Sequence, residues 1–110
     1  MVYDEALAER IRQLVAGEPN LSEKKMFGGL AFLLGGNMAI AASGQGGILV
    51  RVDPAESDEL VSTTTATVAV MRDRPMPGWL RVPTGDVASD DELAAWVERG
   101  RSYARSLPSK

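Results

Sequence analysis

Residues 25–52 read KMFGGLAFLLGGNMAIAASGQGGILVRV, and the way glycine punctuates this stretch decides the fold. Three clusters, Gly28-Gly29, Gly35-Gly36-Asn37 and Gly44-Gln45-Gly46-Gly47, separate apolar segments at Lys25–Phe27 with Leu30–Leu34, at Met38–Ala42 and at Ile48–Val52. Each segment has the length of a strand and each break that of a turn, whereas a parallel crossover needs roughly a dozen residues or more. The stretch therefore reads as an antiparallel meander of three strands. In the third, Ile48, Val50 and Val52 share one face and Leu49 and Arg51 the other, so alternation predicts one buried and one wetter side. The second strand is built of small side chains, a surface that a helix approaches closely.

Helical patterns flank the meander. Over Asp4–Ala16, the residues Leu7, Ile11, Leu14 and Val15 fall on one stripe, and Gly17 with Pro19 ends the pattern. Asp53-Pro54-Ala55-Glu56 opens a short helix reaching about Val61, with Asp53 placed to accept exposed amides and Pro54 at the first helical position. Thr67–Met71 is β-branched enough for a strand, Arg74–Gly78 reads as a loop, and Trp79–Val82 as a strand closed by Pro83. Ser89-Asp90-Asp91-Glu92 is a capping box for a last helix whose stripe is Leu93, Trp96, Val97, Gly100, Ala104 and Leu107. Arg99, Arg101 and Arg105 lie toward its negative end, and Pro108 stops it. Gly100, which costs roughly 1 kcal/mol relative to alanine in a helix interior, reads as a point of close contact with the sheet near Met38-Ala39. The order is α-β(3)-α-β(2)-α. It predicts an α+β two-layer sandwich, an antiparallel five-stranded sheet with helices on one face, as one domain over residues 1–110.

Composition limits the chemistry. The 110 residues hold no cysteine and no histidine, which removes thiolate catalysis, disulfides, the Ser-His-Asp triad and the usual zinc ligands. The net charge of −3 disfavours autonomous nucleic-acid binding, which draws on a basic surplus. The longest apolar run, Leu30–Ala42, is too short to span a bilayer as a helix, and the acidic N-terminus is unlike a secretory signal, so a cytoplasmic location is expected.

Motifs for bound groups are missing as well. Neither a GxxxxGK[ST] nor a GxGxxG pattern occurs, and the glycine clusters do not feed helix N-termini, so they read as turns. Asp53, Asp90, Asp91 and Glu92 are explained by capping, and no catalytic residues, metal ligands or cofactors are expected. What remains is a surface. Lys24 and Lys25 stand at the mouth of a strand, Arg72, Arg74 and Arg81 flank the last two strands, and Phe27, Met76 and Trp79 are the apolar groups expected at a docking site. A competing reading gathers Lys24, Lys25 and Arg74 around a small molecule or anion.

A family resemblance accompanies these residues. Lys25-Met26-Phe27-Gly28-Gly29, then Phe32, Gly36-Asn37-Met38-Ala39, Arg74-Pro75-Met76, the Trp79–Pro83 segment, and Leu93 with Trp96 resemble, in order and over nearly the whole chain, the N-terminal domain of the TfoX/Sxy family. The resemblance implies an α-β(3)-α-β(2)-α fold like that of type III secretion chaperones. It also implies a non-enzymatic role in regulating natural competence, exerted on transcription through protein partners such as the cyclic-AMP receptor protein. It carries over no catalytic residue: Lys25, Met26, Phe27, Gly28 and Gly29 are a family mark. Longer members continue into a second helical domain that these 110 residues do not include, and homodimerisation through paired sheets is left open.

Overall fold

Asp4 opens the first helix, α1 (Glu5–Val15), by accepting the Leu7 amide at 3.1 Å, and Leu7, Ala8, Ile11 and Val15 bury the expected stripe. The structure is a computed structural model that describes residues 3–26, 28–44, 46–71 and 73–108. Six strands occur among them rather than five: β1 (Leu21–Met26), β2 (Gly29–Leu34), β3 (Asn37–Ala42), β4 (Ile48–Arg51), β5 (Thr67–Met71) and β6 (Arg74–Val82).

The additional strand is β1. Ser22-Glu23-Lys24-Lys25 shows no apolar alternation, which is why the sequence reads as a single segment around Gly28-Gly29. An edge strand exposed along most of its length needs no such pattern, and charge protects it from pairing with other chains. It pairs antiparallel with β2 from Leu21 opposite Leu34 to Met26 opposite Gly29. A second correction concerns Arg74–Gly78, expected as a loop. Arg74, Pro75 and Met76 pair with β5, and Pro77–Trp79 then bulge before Leu80 meets Val68. The prolines fit because β4 joins β6 only from Trp79 onward, so one side of the Arg74–Met76 backbone has no strand to bond.

Asp53 caps α2 (Pro54–Thr63) through the Ala55 amide at 2.9 Å. This helix outruns the expected Val61 because the Ser62, Thr63 and Thr64 hydroxyls donate to the Glu59 and Leu60 carbonyls and satisfy its last turn. A 3-10 turn at Thr84–Val87 leads to α3 (Asp90–Ser106), where Ser89 caps as expected but Glu92 closes the box on the serine hydroxyl rather than its amide: the Glu92 amide donates to the Ser89 hydroxyl, which donates to the Glu92 carboxylate.

The sheet order is β1-β2-β3-β4-β6-β5, antiparallel throughout, and the helices cover one face. Phe32, Ile40, Ile48, Val50, Leu80 and Val82 meet Ile11, Val15, Leu93, Trp96 and Val97 in the main core. A register shift in the β2–β3 pairing leaves Ala39 between Ile40, opposite Phe32, and Met38, opposite Leu33. Ala39 and Ile40 consequently both belong to the helix-side core. Polar ties hold the helices in place. Glu18, with only 6% of its side chain exposed, accepts from Arg105 Nε at 3.1 Å and meets Arg101 at 3.2 Å. Asn37, buried, donates to the Pro108 carbonyl at 2.8 Å. Arg12 of α1 grips Glu23 of β1 with two hydrogen bonds of 2.7 and 3.0 Å. These contacts push the Glu18 carboxyl below the ordinary glutamate range, chiefly through the Arg105 hydrogen bond, and Glu23 likewise through Arg12.

Candidate functional site

Directly opposed residues of antiparallel strands point to the same face, so the pairing traces one row across the whole sheet. It runs Lys24, Ala31, Ala41, Leu49, Arg81, Thr67, from β1 through β2, β3, β4 and β6 to β5. This row lies on the face that carries no helix. Ala31, Met38, Ala41, Leu49 and Ala69 form a second apolar cluster there, with Met26, Leu33 and Trp79 half-buried against it. Met76, opposite Ala69, shares the face and is half-buried too.

At the centre of this face is a slot. Met26, Ala31, Met38, Ala41 and Leu49 line it, and Arg81 and Ser43 stand at one end, the guanidinium donating to the hydroxyl at 3.1 Å. The β1–β2 hairpin brings the Met26 side chain to the slot, and Gly29 lets it close: a Cβ at Gly29 would stand 2.2 Å from the Ala42 carbonyl oxygen. The motif glycine therefore sets how tightly the hairpin and β3 approach. At the end of β4, Arg51 lies 4.9 Å from the centre of the Trp79 ring and 5.5 Å from that of Tyr103, so Trp79 is stacked rather than free.

Of the surface residues expected from sequence, Lys24, Arg74, Met76, Trp79 and Arg81 fall on the helix-free face by pairing or alternation, joined there by Met26 of the family mark. Lys25 does not. It is opposite Leu30, on the helix side of the edge strand, and is exposed. Phe27 and Arg72 lie outside the described residues. Lys24 on β1 and Arg74 on β6 are separated by four strand spacings, about 19 Å at the usual interstrand distance. The sheet thus does not gather Lys24, Lys25 and Arg74 into one anion pocket, as the competing reading requires. The arginines of α3 have structural partners: Arg101 and Arg105 hold Glu18, and Arg99 lies 4.6 Å from the centre of the Trp96 ring. Leu49 and Ser43 carry no sequence signal for a site, Met38 stands out only through the family resemblance and the Gly100 approach, and Arg81 only as one of a basic group. The signal for Arg81 was its phase, out of step with the buried Leu80 and Val82.

A polar cleft of about 390 Å³ lies elsewhere, lined by Asp53, Glu56, Glu98, Arg99 and Tyr103 among others, but its charged groups are largely committed. Asp53 caps α2, Glu98 pairs with Arg101 and Arg99 stacks on Trp96. Among the described residues no group of three or more carboxylates is placed to hold a metal ion, and no helix is long and apolar enough to cross a membrane.

A family model of the TfoX N-terminal domain matches residues 13–104, from within α1 to within α3. The chain belongs to the TfoX N-terminal domain family. No curated protein and no solved structure matches it. In this TfoX N-terminal domain the matched span contains all six strands, the slot and the Lys25–Gly29 mark. The mark is chiefly architectural: Met26 supplies a wall of the slot and Gly29 sets the strand approach behind it.

Proposed function

We propose that this TfoX N-terminal domain is a non-enzymatic, cytoplasmic regulatory module that binds a protein partner through the helix-free face of its sheet, in the transcriptional control of competence. The observation that carries this reading is the apolar centre of that face. Met26, Leu33, Met76 and Trp79 rest half-buried about a layer of Ala31, Met38, Ala41, Leu49 and Ala69, with no helix of the described residues laid over them. Methionine and aromatic side chains concentrated on one face suit a protein interface, because they are large, apolar and adaptable. Family membership supports the regulatory setting. The missing histidine and cysteine leave the chain without the commonest base and the commonest thiol nucleophile, in keeping with work done by a surface.

Affinity capture from the native cell tests the proposal, comparing the wild-type chain with a Met76→Glu variant. Retention of a transcription-regulating protein by the wild type and its loss from the variant is the expected result. Equal retention by both, or enrichment of metabolic enzymes alone, would count against it.

A further inference from the structure

The two faces of the sheet differ in charge as well as in covering. Of the fifteen carboxylate side chains, only Glu23 lies in a strand, and it is opposite Phe32, on the helix side, where it holds Arg12. The strand positions of the helix-free face carry Lys24, Arg51, Arg74 and Arg81 and no acid, although the Arg51 guanidinium at the end of β4 reaches round to within 5.5 Å of the Tyr103 ring on α3. Among the described residues every ion pair involves α1, α3 or the segment that follows α1, with Glu23 as the one strand member, and none uses those four cations. A chain with a net charge of −3 thus keeps the strand positions of one face free of acids. The arrangement on the row is specific: a cation on β1, three apolar residues, and a cation on β6, reading Lys24, Ala31, Ala41, Leu49, Arg81.

We propose that this face takes an acidic segment of a protein partner, with carboxylates at the Lys24 and Arg81 ends and an apolar side chain packed over the shallow slot between them, whose volume of about 10 Å³ admits no side chain. The proposal rests on the protein-binding function above and adds the chemistry of the partner. Four strand spacings separate the two cations, about 19 Å, which about six residues of extended chain span. Arg81 is suited to receive a carboxylate because it faces no acid and already orients its guanidinium through Ser43. A single-stranded nucleic acid also seeks cations, but it needs several free aromatic faces for stacking. On this face the described aromatic is Trp79, already stacked by Arg51, while Phe32 is fully buried on the other side.

Panning a random heptapeptide phage library against the full chain tests the inference, with oligothymidylate binding measured in parallel. The selected peptides should be net acidic around an apolar centre. Synthesised and labelled, they should bind the double variant Lys24→Gln/Arg81→Gln at least about tenfold more weakly, at a melting temperature that shows it folded. A selected pool without acidic bias, undiminished binding to the folded double variant, or preferential binding of oligothymidylate would overturn it. Selection of neutral apolar peptides whose binding is lost in Met76→Glu would sink the acidic partner while leaving the protein-binding function standing. Loss of both effects would remove the two together.

Discussion

Gly100 of α3 lies against the backbone of Ala39 in β3, so close that a Cβ on Gly100 would stand 2.3 Å from the Ala39 carbonyl oxygen. The contact explains a glycine in the middle of a seventeen-residue helix. It also explains the bulge at Ala39, which turns a small residue toward the helix where regular alternation would turn it away. Helix propensity alone says that Gly100→Ala gains about 1 kcal/mol. The collision with a backbone atom opposes that gain, and we expect a net destabilisation of about 1–3 kcal/mol, read as a lower midpoint in urea. A more stable variant would show that α3 does not sit this close to β3.

Gly29→Ala should behave similarly and for a parallel reason, since its Cβ would meet the Ala42 carbonyl at 2.2 Å. The expected outcome is a clear fall in melting temperature. Lys25→Ala, one end of the same motif, alters an exposed edge position and should stay within about 0.5 kcal/mol of wild type. Thermal unfolding of the two variants side by side checks whether the motif is chiefly architectural.

Much of this architecture was legible in the residues. The capping groups at Asp53 and Ser89, the glycine turns and the single apolar stripes of α1 and α3 fixed the helices and the antiparallel meander, because each is a local signal with a local cause. The edge strand β1 was hidden, since Ser22–Lys25 faces solvent and has no buried side to reveal a period. Pro75 and Pro77 argued against a strand because the side of the backbone left without a partner there is a tertiary fact. The docking face was half legible: Met76 and Trp79 stood out by type, while the alignment of Lys24 with Arg81 depends on a register shared by five strands.

Ser57 is buried in α2, and its hydroxyl has no hydrogen-bond partner among the described residues. An unpaired buried hydroxyl carries a desolvation cost with no return. Ser57→Ala is therefore expected to be neutral or stabilising by up to about 1 kcal/mol, measured by chemical denaturation. A marked loss of stability would mean that the hydroxyl is bonded in solution.

Glu18 is held ionised by Arg105 and Arg101, with its carboxyl below the ordinary glutamate range. A carboxylate with a depressed folded value adds stability above its unfolded value, near pH 4.3, and loses it as the pH falls through the folded one. Glu18→Gln should lower the melting temperature by a few degrees at pH 7, and the gap should shrink as the pH falls below about 4. A gap that is the same at pH 7 and pH 3 would contradict the clasp.

A protein partner docked on the sheet face that no helix covers would lie within reach of Met76 and away from the outer side of α3. The most direct measurement places a photo-crosslinking amino acid at Met76 on that face or at Ala95, an exposed position of α3, and irradiates the native cell. Position 76 should give a discrete protein adduct that disappears when Lys24 and Arg81 are both changed to glutamine, and position 95 should give none. An adduct formed from position 95 and not from position 76 would contradict docking on that face.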